Sequence, residues 1–265
     1  MVDLAVTNFD SNQNPNVSIL LGNGDGTFQN PANYELPPDQ FQTPTAITAS
    51  DLDGDDAPDV AVANTGNRSE VVVFLNKGDG TLEAPVSYDP VLKQAYPLAF
   101  TTSDFNGDGK ADLVVGYLLA FNGVGNIAVF LGNGGGTLQD PVAFDSGTQE
   151  LTSLTAADLN GGSVADLATT SQGTDDQGPS NASVLLGNGD GTFQAPEAYA
   201  AGSGTAFVAA SDLNGNEKPD LATANASSND VSILLNVAPP QVSSGRASRP
   251  RRAPRYGGSA RGGPR

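Results

Sequence analysis

The sequence predicts an all-β fold, a β-propeller built from four-stranded blades of about 54 residues. Three observations predict it. The chain is rich in turn formers, with 32 Gly and 18 Pro among 265 residues, and no stretch sustains a helical period. An aspartate-rich element recurs four times at a nearly constant spacing. A glycine-rich element of the same period alternates with it. Two interleaved ladders of one period are the signature of a repeat architecture.

The aspartate element reads DLDGDDAPD at Asp51–Asp59, DFNGDGKAD at Asp104–Asp112, DLNGGSVAD at Asp158–Asp166 and DLNGNEKPD at Asp212–Asp220. The first aspartates are 53, 54 and 54 residues apart. The glycine element reads LGNGDGTF at Leu21–Phe28, LNKGDGTL at Leu75–Leu82, LGNGGGTL at Leu131–Leu138 and LGNGDGTF at Leu186–Phe193. Between them lie short segments of strand character. In the second repeat these are Thr45–Leu52, Asp59–Ala63, Glu70–Leu75 and Pro85–Tyr88. NTGN at Asn64–Asn67 and NKGDG at Asn76–Gly80 read as the connecting turns, since such sequences favour positive φ. The near-continuous apolar runs Val60–Ala63 and Val71–Leu75 fit sheets covered on both faces by neighbouring blades. One such sheet cannot bury both faces alone, so the blades must stack.

The D-x-[DN]-G-[DN]-x-x-x-D loops and the G-T-[FL]-x-x-P tails such as Gly191–Pro196 resemble the FG-GAP (integrin α-subunit-like) and bacterial VCBS repeat families. The resemblance covers residues 1 to about 238. It implies a propeller that is exported, binds calcium in the blade loops and mediates adhesion or recognition. Three complete blades are flanked by two incomplete ones. The first unit begins at Asp3, which matches only the last loop position, and the fifth stops at Asn236. The family's usual ring of seven needs about 380 residues at this period. The chain therefore reads as a fragment of such a ring, or a start inside a longer gene, which would explain the missing signal peptide. A strained five-blade ring is the alternative. Residues 239–265 are dominated by Arg, Gly, Pro and Ser and read as a disordered tail. That tail is a basic arm for anionic polymers, a segment folding back on the acidic body, or a translated artefact.

The nine-residue loops carry the chemistry. Calcium takes six to eight oxygens, and alternate positions of a tight loop supply them. Side chains at positions 1, 3, 5 and 9 and the carbonyl of position 7 are the candidate ligands. These are Asp51, Asp53, Asp55, Asp59 and the Ala57 carbonyl, then Asp104, Asn106, Asp108, Asp112 and the Lys110 carbonyl. In the fourth loop Gly162 removes the position-5 ligand and leaves Asp158, Asn160 and Asp166. The fifth offers Asp212, Asn214, Asn216, Asp220 and the Lys218 carbonyl, with only two carboxylates. Ligand charge ranks the loops second, third, fifth, fourth, with affinities for Ca2+ of roughly 10⁻⁴–10⁻³ M expected of an extracellular module. Position 12, where an EF-hand needs Glu, is Val62, Val115, Thr169 or Thr223, so these are β-loop sites. Asp, Asn and Gly also form turns without metal. Four recurrences with oxygens at alternate positions favour the metal reading. For Asn23, Asp25, Asn188 and Asp190 of the glycine element the turn reading wins.

Composition excludes several functions. With no His and no Cys there is no histidine base, no catalytic triad built on histidine and no thiolate chemistry, and any metal must be a hard cation held by oxygens. Residues 1–242 hold 30 acids against 5 bases, a net of −25, whereas seven arginines follow residue 243. So acidic a body repels nucleic acid and anionic membranes and attracts cations. No apolar run is long enough to span a membrane. The expected protein is non-enzymatic, monomeric, secreted or on the cell surface, with an extracellular protein or glycan as partner. The rivals are a propeller-based polysaccharide lyase or hydrolase, and a structural spacer. A catalytic pair should be unique to one blade, and the non-repeated acids Glu150, Asp175, Asp176 and Glu197 are scattered.

Overall fold

The computed structural model describes residues 2–9, 14–37, 43–66, 69–89, 95–119, 125–148, 150–172 and 181–237. The arginine-rich tail, Asp175, Asp176 and Asn67 lie outside them. The described residues form eighteen strands in five antiparallel sheets and no helix. Sheet one pairs β1 (Leu4–Phe9), β2 (Pro15–Leu20) and β3 (Ala32–Glu35). Sheet two is β4 (Thr43–Ser50), β5 (Asp59–Thr65), β6 (Glu70–Phe74) and β7 (Val86–Tyr88). Sheet three is β8 (Ala95–Ser103), β9 (Asp112–Leu119), β10 (Gly125–Phe130) and β11 (Val142–Asp145). Sheet four is β12 (Leu151–Ala157), β13 (Asp166–Ser171), β14 (Asn181–Leu185) and β15 (Glu197–Ala200). Sheet five is β16 (Thr205–Ser211), β17 (Asp220–Asn225) and β18 (Asp230–Leu234). Each sheet is a meander of sequential strands, the arrangement of a propeller blade.

Apolar residues on alternate positions face opposite ways, and each set meets the neighbouring sheet. Val60, Val62, Val72 and Phe74 pack with Val17 and Ile19 of sheet one. From the other side of the same strands, Ala61, Val71 and Val73 pack with Leu113, Val115, Tyr117 and Phe130 of sheet three. Val114, Ile127 and Val129 then meet Leu167 and Leu185 of sheet four. All seven residues of β5 are buried for this reason. Each buried Val, Leu or Phe contributes about 1.5–3 kcal/mol. The first strands β4, β8, β12 and β16 touch in succession. Each carries a register shift near its start, at Pro44/Ala46, Pro97/Ala99, Leu151/Ser153 and Thr205/Phe207. Two of the shifted residues reach the next blade: Thr45 Oγ1 donates to Pro97 O at 2.6 Å and Thr152 Oγ1 to Thr205 O at 2.8 Å.

The outer faces of the first and last sheets have no sheet against them among the described residues. Val231 and Ile233 are 64% and 49% exposed, whereas their counterparts Val71 and Val73 are 0% and 1% exposed. Two details differ from the sequence expectation. Asn64 and Thr65 are the buried end of β5 rather than a turn, because Asn64 pairs in register with Glu70 and donates to its carboxylate at 3.4 Å. Leu52 lies past the end of β4, drawn inward when its amide binds Asp59.

Candidate metal centre

The second loop shows how nine residues become a cup of oxygens. Asp51 accepts the amides of Gly54 (2.6 Å) and Asp56 (3.0 Å) on its two oxygens. Asp53 accepts the amide of Asp55 at 3.0 Å, and Asp55 that of Ala57 at 2.8 Å. The tight coil needs left-handed backbone at positions 4 and 6, supplied by Gly54 (φ 87°) and Asp56 (φ 68°). Asp59, at position 9, is buried. Its Oδ2 accepts Leu52 N at 2.8 Å and its Oδ1 accepts Asn76 N at 2.8 Å. One oxygen each from Asp51, Asp53 and Asp59 then lies within 4.8 Å of the others, and no other three acids converge so among the described residues.

The charges are unevenly compensated. Amides hold Asp51, chiefly that of Gly54, and lower its pKa. Desolvation raises that of Asp53, with the carboxylates of Asp55 and Asp51 adding to the rise. Burial likewise raises Asp59. Among the described residues no lysine or arginine forms an ion pair in this loop. A hard divalent cation would relieve this repulsion, and each carboxylate oxygen keeps a lone pair after accepting one amide. The donor set therefore fits a hard divalent cation, with Asp51, Asp53 and Asp59 as the converging oxygens.

The other loops share the backbone but differ in how they close. In the third, Asp104 accepts Gly107 N (2.7 Å) and Gly109 N (2.8 Å), and Asn106 Oδ1 accepts Asp108 N at 2.9 Å. Asp108 accepts Lys110 N at 3.0 Å and pairs with the Lys110 ammonium at 3.5 Å, an exposed contact that a cation would displace. Asp112 is buried between Phe105 N and Gly132 N. In the fourth, Asp158 gathers Gly161, Gly162 and Ser163, but Asn160 turns its amide nitrogen onto Asp166 at 3.1 Å. The fifth repeats this closure, with Asn214 Nδ2 on Asp220 at 3.1 Å, Asn216 Nδ2 on Asn236 O and Lys218 N on Asn216. Here Asp212 collects four amides. Loops four and five thus close through a hydrogen bond from the position-3 asparagine to the position-9 carboxylate.

Residues 1–62, 51–115 and 104–169 each match the FG-GAP-like repeat model. The chain belongs to the FG-GAP-like repeat family. A search of curated proteins finds no match. Among solved structures, the Dos1 propeller superposes with a TM-score of 0.51 at 13% identity, over 86% of this chain and 57% of that one. That likeness concerns the fold. The chain spans a little over half the length of that propeller.

Within each FG-GAP blade the position-9 aspartate has a second task, which the sequence reading missed. It clamps the residue two positions beyond the third strand: Asp112 holds Gly132 N, Asp166 holds Gly187 N and Asp220 holds Asn236 N. Asp3 does the same to Gly22 at 2.7 Å. The glycine elements are turns, as expected: Asp25, Asp79 and Asp190 each accept the amide two residues on.

Proposed function

We propose that this FG-GAP chain is a non-enzymatic, calcium-binding propeller acting in extracellular recognition or adhesion, at the cell surface or after secretion. The carrying observation is the convergence of Asp51, Asp53 and Asp59 in a loop with no compensating base. An all-oxygen site of net negative charge selects a hard cation, and modest affinity suffices where calcium is millimolar. The bound ion would supply charge neutralisation and rigidity to the loops that join the first two strands of each blade. The partner is an extracellular protein or glycan.

Calcium uptake by isothermal titration, followed by binding to immobilised glycans and matrix proteins with calcium or EDTA, tests this. Saturable uptake that Asp53→Ala removes in part, and capture that needs calcium, are the expected results. Absence of uptake would end the metal reading. Release of reducing ends or unsaturated products from a polysaccharide panel would overturn the non-enzymatic one.

A further inference from the structure

The aspartate loops are not contained within their own blades. In each of loops two, three and four, the carbonyl of position 2 accepts a hydrogen bond from the following blade. Gly136 N reaches Leu52 O at 3.3 Å, Gly191 N reaches Phe105 O at 3.1 Å and Asn236 Nδ2 reaches Leu159 O at 2.6 Å. The donors all follow the third strand of the next sheet; Gly136 and Gly191 belong to glycine elements, and Asn236 stands two residues after β18. Apolar contacts hold these joints shut. Leu138 packs with Leu52 in one cluster, and Phe193 sits edge-on to Phe105 at 5.6 Å. Side chains at Gly136 and Gly191 would run into Leu75 and Leu131 of the preceding blade.

Loop two receives one bond more. Gly135 N donates to Asp53 O at 3.0 Å, directly on the position-3 ligand residue. Gly135 is also where this turn departs from its repeats, which carry Asp25, Asp79 and Asp190 at the same place. Among the described residues only this turn has three consecutive left-handed residues, Gly134, Gly135 and Gly136, at φ 72°, 77° and 74°. A residue with a Cβ resists that conformation. An aspartate there would also set another carboxylate beside the most acidic loop of the chain.

Resting on the calcium reading above, we infer that Gly135 and Gly136 of the third blade are positioning residues for the calcium site of the second. The site is composite: ligands come from one blade and the backbone brace that fixes Leu52 and Asp53 comes from the next. Calcium bound there therefore stiffens the joint between blades as well as the loop.

The test compares Gly135→Ala with Gly26→Ala. Both glycines have positive φ (77° and 89°) and open space for a methyl group, but among the described residues no aspartate loop of a preceding blade stands beside the turn of Gly26. The two variants carry the same backbone cost. Calorimetric calcium titration of the whole chain, with Asp53→Ala marking the loop-two component, should show that component weakened three- to tenfold by Gly135→Ala, the scale of one lost hydrogen bond. Gly26→Ala should leave it unchanged. In EDTA, hydrogen exchange at Gly54–Ala57 should accelerate in Gly135→Ala alone. Equal exchange and equal affinity in the two variants would overturn the brace. If Asp53→Ala leaves the wild-type isotherm untouched, the calcium reading fails instead, and the exchange comparison in EDTA alone decides the brace.

Discussion

Two residues of the second loop divide the support of its backbone from the proposed binding of an ion. Asp59 is buried and holds two backbone amides, whereas Asp53 holds one amide beside two other carboxylates. Asp59→Ala orphans both amides and should cost about 3 kcal/mol in urea unfolding even in EDTA, since a buried unpaired donor loses 1–3 kcal/mol. Asp53→Ala should leave metal-free stability unchanged or raised while removing the loop-two part of the calcium response. Equal losses for the two in EDTA would show that the roles are not divided. At position 6, Asp56, Ser163 and Glu217 take left-handed backbone that Gly109 takes freely in the third loop. Asp56→Gly should stabilise the metal-free chain by about 1 kcal/mol by relieving that conformation. A midpoint that falls would place the strain elsewhere.

At the scale of the element, the buried carboxyls set a pH dependence. Burial raises the pKa of Asp59, Asp112 and Asp166. A raised folded-state pKa contributes stability below the unfolded value near pH 4 and loses it as pH climbs through the folded value. The lowered groups, among them Asp51, Asp108 and Asp212, lose their contribution only below about pH 4. In EDTA the chain should therefore gain stability as pH falls from 7 toward 4. With calcium it should lose stability over the same range, because protons displace the ion. Parallel melting curves at both conditions would contradict this. The repeat period made the elements legible: the strands of the second blade begin and end within about two residues of their expected places. Asn64 escaped because an NTGN run is turn chemistry locally, and only its partner Glu70 makes it strand. The brace escaped because it joins residues 53 and 135, whose relation exists only once blades stack.

At the scale of the molecule, apolar stacking and aspartate repulsion oppose each other. Five sheets share four interfaces of Val, Leu, Ile and Phe, while residues 1–242 carry a net charge of −25. Such a charge penalises compaction and makes cations allies of the fold. The propeller was readable from period and composition. The unequal closure of the four loops was not, because the direction of an asparagine amide, as at Asn160 and Asn214, is set by its neighbours in space. The decisive measurement is thermal unfolding of the whole chain in EDTA and across a calcium series to about 10 mM, which brackets extracellular affinities. A midpoint that climbs with the logarithm of calcium, with a slope reduced by Asp53→Ala and less so by Asp108→Ala, is the predicted result. A cooperative transition at one temperature with and without calcium would reduce the aspartate loops to turns.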